Sequence, residues 1–323
     1  MIQQKNTISY KVISLFIKAL ILFFALFYIV SKMINEEDVM HFEARFLEAN
    51  KLYIVIVVLL MFINWGLEAL KWQYLIRSLE KISFFNSLIA VFSGVTVSIF
   101  MPNRVGEFAG RIFYLEEADK VSAILKNFLG SLIQLSITLI LGVIALYIGS
   151  LNGIFNTNDL ISSRNDYWLL LMGVLILLLI GLILLRKFKH RLSNKFRYYL
   201  DVFNDMSFAE GLYVFALSSL RYAVFLIQYY LLLVAFGIEI DFWLAAGLIA
   251  LNFFIQSFIP SFALTEVFTR GATAVYLFAG FTNDSAAILA VSFLLWLINL
   301  ALPAIIGAVF VWRMKFFKTS ENG

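Results

Sequence analysis

Apolar residues run almost without interruption near 12–32, 52–76, 122–149, 167–185, 211–236 and 285–312, and two further runs, 84–115 and 242–280, are broken by a proline and by charges. Runs of this length without strand-like alternation predict helices that cross a bilayer, whose hydrocarbon core takes about 20 residues. Composition agrees, with 62% hydrophobic residues, 14% charged residues and a mean hydropathy of +0.90. The predicted fold class is all-α integral membrane. No polar stretch exceeds roughly 25 residues, too few for a folded extramembrane domain of ordinary size. The first run carries Lys18 and lacks a small-residue cleavage site before Lys32, so it reads as a retained span.

Loop charges orient the spans, because Lys and Arg in short loops stay on the cytoplasmic side. Segment 186–210 holds Arg186, Lys187, Lys189, Arg191, Lys195 and Arg197, and the tail holds Arg313, Lys315 and Lys318, so both are expected inside. Segment 33–50 sets only Arg45 against Glu36, Glu37, Asp38, Glu43 and Glu48 and is expected outside, with Lys5, Lys11 and Lys18 across the first span. The run 52–76 ends at a basic connection (Lys71, Arg77, Lys81), and 122–149 must leave that same face to reach the charge-poor loop 150–166. Both flanks of 84–115 therefore lie inside, which predicts a re-entrant helical hairpin with Pro102 near its tip. Both flanks of 242–280 lie outside, between Glu239 and Asp241 and the start of 285–312. That segment is either a second re-entrant hairpin or two short spans joined by a tight turn, since each arm has roughly 16 residues where about 20 are usual.

The expected architecture is about six full spans plus two oppositely oriented re-entrant hairpins in an inverted repeat. It divides one polytopic membrane domain, 1–323, into an extra N-terminal span and outer loop (1–50), a first half (51–150), a linking span with a basic cytoplasmic loop (151–210), a second half (211–312) and a cytoplasmic tail (313–323). Both termini would be cytoplasmic. Inverted repeats whose broken helices meet near the midplane characterise secondary transporters.

Several chemistries drop out early. There is no cysteine, which removes thiol catalysis and disulfides, and the only histidines, His41 and His190, fall in polar loops far apart in the sequence. No metal site is expected on imidazole, and with no nucleotide loop or nucleophile elbow no cofactor is expected either. A net charge of +4 makes no case for nucleic acid. The expected partners are membrane lipids, with a homo-oligomer left open.

What remains is a charged motif that occurs twice. Glu-x-x-x-Arg follows a proline in Pro102–Arg111 (Arg104, Gly106, Glu107, Arg111) and again in Pro260–Arg270 (Glu266, Arg270). A charge at the centre of a membrane helix costs about 2.5–3.5 kcal/mol on insertion scales, so these groups must be paired, wetted or used. Glu four residues before Arg puts both on one helix face, where they form either a structural ion pair or part of a binding site. Proline ends the preceding arm and leaves the next helix with unpaired amides, a cradle for a phosphate or other anionic head group beside Arg104, Arg111 or Arg270. Gly106 and Gly110 allow close approach of a helix or a ligand. Arg221, some ten residues into its span by the sequence, either snorkels to the interface or joins the site, and Asn252 and Gln256 are either interhelical glue or binding groups. Trp65, Trp72, Tyr74, Trp168 and Trp312 fit interfacial belts.

The stretch Leu-Glu-Ala-Leu-Lys-Trp-Gln-Tyr-Leu-Ile-Arg at 67–77, followed by Pro102, Arg104, Gly106, Glu107 and Arg111, resembles the transmembrane region of lysylphosphatidylglycerol synthases. Gln256, Pro260, Glu266 and Arg270 are similar to that family's later motif. The likeness runs from about 52 to 312. In bifunctional members the membrane region is implicated in flipping an aminoacylated phospholipid that a separate soluble domain makes. The resemblance therefore implies a stand-alone, flippase-like protein and argues against lysyl transfer.

The function expected is translocation of a phospholipid, or another lipid with an anionic or zwitterionic head, across the bacterial cytoplasmic membrane, with no enzymatic step. The substrate-binding candidates are Arg104, Glu107, Arg111, Arg221, Asn252, Gln256, Glu266 and Arg270, and Pro102, Gly106 and Pro260 shape the hairpin tips. The alternatives are a membrane-embedded lipid-modifying enzyme with Glu107 or Glu266 as base, and a non-transporting partner of such an enzyme.

Overall fold

The computed structural model describes residues 45–99, 101, 104–153, 206–260 and 263–312. The expected spans 12–32 and 167–185, both histidines, Trp168, the tail and Pro102 lie outside the described residues. Helices account for the architecture, in the order α1 (Lys51–Ile76), α2 (Phe84–Ser98), α3 (Gly106–Ile112), α4 (Lys120–Leu151), α5 (Phe208–Ala235), α6 (Phe242–Phe258), α7 (Ala263–Phe278), α8 (Ser285–Trp296) and α9 (Leu302–Trp312).

Polar residues at the run boundaries explain where the helices start. Asn50, Ser83, Asp119, Ser207, Asp241 and Asp284 each accept a backbone N–H from the first turn of the helix they precede, and Ser207 with Glu210 completes a reciprocal capping box. A π-helical turn, Leu297–Ala301, joins α8 to α9 without a break. Pro303 follows it and has no N–H to give, so the backbone widens there and carries Asn299 into the core.

Among the described residues four helices are long and apolar enough to cross a bilayer: α1, α4, α5 and the continuous Ser285–Val311. The arms α2 and α6 are apolar but shorter, with 15 and 17 residues. At 1.5 Å per residue they reach only about 22 and 25 Å, against a hydrocarbon core of about 30 Å. Membrane character and several apolar helices therefore follow directly from the structure.

Packing ties the arms to distant spans. Helix α1 lies along α5; α2 packs on α3 and on α9, and α6 packs on α4 and α7. Small residues set these crossings. A Cβ on Gly307 would come within 2.1 Å of the Phe92 carbonyl oxygen, and one on Gly142 within 2.4 Å of Phe254. The Thr96 hydroxyl donates to the Ala304 carbonyl at 2.7 Å in the α2–α9 crossing.

The arms of the first hairpin run antiparallel. A Cβ on Gly110 would lie 2.5 Å from Gly94 Cα, and one on Gly106 would lie 2.6 Å from the Val97 oxygen. These glycines thus serve contact within the hairpin. At its base the Glu80 carboxylate accepts the amides of Glu116, Glu117 and Ala118 at 2.9 to 3.1 Å. Burial pushes the Glu80 carboxyl up, but those three amides outweigh it and hold the group below its usual range.

Gly110→Ala forces methyl against backbone that cannot rotate away. It is expected to destabilise the protein by about 1–3 kcal/mol, the usual cost of overpacking. Gly247 in α6 has nothing within 4 Å of an added Cβ, so Gly247→Ala should leave stability equal or slightly raised through helix propensity. Thermal unfolding in detergent compares the two.

Two expectations are corrected here. Trp65 and Trp72 are 1% and 0% exposed and belong to the core, not to an interfacial belt. Lys71 lies inside α1, only 3% exposed, and is no part of a basic loop. The causes differ: Lys71 turns inward to Glu68 on its own helix, and the two Trp rings lie against guanidiniums from other helices.

Candidate functional site

The deepest charges gather around Glu68, midway along the buried face of α1. Its Oε1 accepts Arg111 Nη1 from α3 at 2.8 Å, and its Oε2 lies 2.6 Å from both Arg221 Nη1 of α5 and Lys71 Nζ one turn along. Three cations on one carboxylate is an arrangement that only burial and extra hydrogen bonds can hold. Those bonds exist. Arg111 also donates to Asn127 Oδ1 at 2.8 Å and to Glu107 at 3.2 Å, while Arg221 Nε donates to Asn64 Oδ1 at 2.8 Å. Asn64 in turn reaches Asn299 on the π turn at 3.4 Å. Aromatic faces back the guanidiniums: Arg221 sits 5.0 Å from the Trp65 ring centroid and Arg111 5.8 Å from that of Trp72.

A second cluster joins the two motifs. Arg104 Nη2 straddles the Glu266 carboxylate at 2.9 and 3.1 Å, and Arg270 Nη2 donates to the same group. Arg104 Nη1 lies 4.0 Å from Glu107, which links this cluster to Arg111 and hence to Glu68. Arg104 adopts a left-handed backbone, φ 55°, a conformation that disfavours any residue with a Cβ.

The candidates thus fall into place as follows. Arg104, Glu107, Arg111, Arg221, Glu266 and Arg270 form one continuous charged network, with both Glu-x-x-x-Arg pairs made and each crossed by a longer-range pair. Asn252 and Gln256 do not touch the ions directly. They bond across the α6–α7 hairpin, Gln256 to Thr273 at 2.7 Å and Thr273 to Asn252 at 2.6 Å, while Thr269 bridges Gln256 to the Glu266 carbonyl. Ile259 is extended (φ −89°, ψ 109°), as a residue before proline must be, and Pro260 ends α6 there. Helix α3 has only seven residues and its first turn carries Glu107, so the expected amide cradle for an anion is already faced by a carboxylate.

Sequence reasoning misses Glu68, Lys71, Asn64, Asn127 and Asn299 as site residues. The signal exists: Glu68 and Lys71, three apart inside an apolar run, are intramembrane charges of the kind that mark function. Among the described residues no group of three His, Cys, Asp or Glu could hold a metal.

An apolar groove of about 560 Å³ lies between α4, α5 and α6, walled by Leu141, Ile148, Leu226, Leu244 and Leu251, with Tyr222 on its edge. Its volume is within the range of about 300–1,000 Å³ usual for sites that hold a small molecule.

Fold and site together define a polytopic helical membrane protein with a buried, cation-rich network and a separate apolar groove. Residues 11–307 match the family model described as lysylphosphatidylglycerol synthase TM region, and the chain belongs to that family. No curated protein matches it significantly.

Proposed function

We propose that the protein translocates a lipid across a bacterial cytoplasmic membrane, the head group crossing through the charged network while the tails stay in apolar surroundings. The observation that carries this reading is the Arg104–Glu266 contact, which brings the two Pro-then-charge motifs together although 162 residues separate them. Membership of a lipid-related membrane family supports it, and the apolar groove lined by Tyr222, Arg221's neighbour in the chain, offers room for an acyl chain.

An inverted repeat is part of the proposal. The first hairpin is tied at the end of α1 where Arg77 meets Glu210 and Glu80 holds residues 116–118. The second starts near the other end of α1, where the Asn50 amide bonds the Ala235 carbonyl and Arg45 meets Asp284 at 2.7 Å. Each arm packs on the closing span of the other half, α2 on α9 and α6 on α4. The Arg104–Glu266 contact at the tips is what favours two oppositely oriented hairpins over two short spans for 242–280, and the proposal adds the six full spans and cytoplasmic termini expected from the sequence. Alternating access then follows from rocking one half against the other around the shared tips. Transport leaves the lipid covalently unchanged, so the proposal includes no enzymatic step; the partners are membrane lipids.

The test is leaflet exchange in proteoliposomes with tail-labelled fluorescent phospholipid. Wild type is expected to speed exchange and return the lipid unaltered by mass spectrometry. Arg270→Gln removes one of two cations on Glu266 and should cut the rate about tenfold or more, the weight of one charge-assisted hydrogen bond, while the protein, with Arg104 still on Glu266, remains folded. A wild-type rate in that variant, or covalently altered lipid, would sink the assignment.

A further inference from the structure

Resting on the translocator reading, we infer that the site selects lipids whose head group is net negative and rejects aminoacylated, cationic ones. The charge balance of the network carries this. Lys71, Arg104, Arg111, Arg221 and Arg270 face Glu68, Glu107 and Glu266, an excess of two positive charges among the described residues. Deprotonating Lys71 would leave the excess positive.

No carboxylate in the network stands ready for an ammonium group. Glu68 holds three cations, Glu107 lies near two and Glu266 is shared by two. Within the network itself, as distinct from Gln134, Ser218, Tyr222 and Gln228 outside it, the unused hydrogen-bonding capacity has the same sign. Arg111 Nε, Arg270 Nε, Trp65 Nε1 and Trp72 Nε1 are enclosed donors with no partner, and all four belong to the guanidiniums or to the rings beneath them. Enclosed donors without acceptors are costly to leave empty. A phosphodiester brings acceptor oxygens and negative charge, which answers both deficits. A lysyl ester adds ammonium groups that outnumber its phosphate charge and meet only cations. The selectivity thus runs against the lipid for which the family is described.

The experiment needs no transport. The purified full chain in neutral detergent is titrated with phosphatidylglycerol, phosphatidylethanolamine and lysylphosphatidylglycerol, and bound lipid is read by native mass spectrometry and by melting shift. Phosphatidylglycerol is expected to bind at least about tenfold more tightly than its lysyl ester, a gap of about 1.4 kcal/mol, with phosphatidylethanolamine between them. Added salt should weaken the first most, and Arg270→Gln should narrow the gap. Equal or tighter binding of the lysyl ester, or no lipid bound at all, overturns the inference. Binding in the expected order without leaflet exchange would instead refute the translocator reading and leave the selectivity standing; exchange without charge preference does the reverse.

Discussion

Glu68→Gln is expected to cost more stability than any other single substitution in the network, at least about 3–5 kcal/mol, the usual result of removing one partner from a buried ion pair. The reason is local. Glu68 compensates Lys71, Arg111 and Arg221 at once, and its side chain is 5% exposed, so solvent cannot take over. The three cations would not suffer equally. Arg111 keeps Glu107 and Asn127, and Arg221 keeps Asn64. Lys71 has no other ion pair among the described residues. Lys71→Met in the Glu68→Gln background should therefore recover part of the loss, because it deletes the most poorly compensated charge and leaves an apolar stem. Thermal unfolding of the four variants in detergent gives the coupling as a double-mutant cycle. Simple additivity, or a Glu68→Gln protein as stable as wild type, would show that Glu68 does not hold the cluster.

A cluster of this kind is hard to explain by stability. Well-packed apolar residues of similar volume often hold a buried site as firmly as an ion network does. Such a replacement would forfeit the donors facing the network, however, and those donors are what a lipid phosphate requires. This is why the site's composition argues for a ligand more strongly than the cost of its four motif charges did.

Much of the fold is legible in the sequence because length and hydropathy are local properties. The runs 52–76, 122–149, 211–236 and 285–312 fall almost on α1, α4, α5 and the continuous α8–α9. The break inside 84–115 is marked by its proline. The site is legible only in part. Glu107–Arg111 and Glu266–Arg270 can be read from helical spacing, whereas the Arg111–Glu68 and Arg221–Glu68 bonds join residues 43 and 153 positions apart. For the same reason Lys71 looks like a loop cation and Trp72 like an interfacial anchor. Nothing near Trp72 in the chain reveals the guanidinium above its ring, and Glu68, three residues from Lys71, shows its three cations only in the fold.

Arg104→Gly is expected to separate function from stability in the opposite sense to Glu68→Gln. The side chain is 32% exposed, and its loss leaves Glu266 still paired with Arg270 and Glu107 still paired with Arg111, so no carboxylate is orphaned. The backbone at φ 55° gains from the change. A left-handed residue with a Cβ carries about 1–2 kcal/mol of strain, which glycine removes, against about 0.5–1 kcal/mol for glycine's greater freedom in the unfolded chain. Set against the lost Glu266 contact, about 1.5–3 kcal/mol, this relief should leave melting level or modestly lowered. Leaflet exchange should fall about ten- to hundredfold, since a charge-assisted contact of about 1.5–3 kcal/mol between the two halves is gone. Arg104→Lys separates the two contributions: it keeps the charge, loses the two-oxygen grip on Glu266 and retains the strained backbone, so it should transport at an intermediate rate and melt no higher than wild type. Strain of this order persists where the surrounding structure demands that residue in that conformation. If Arg104→Gly exchanged lipid at the wild-type rate, the contact between the tips would be a structural clasp and the functional site would have to be sought nearer Glu68.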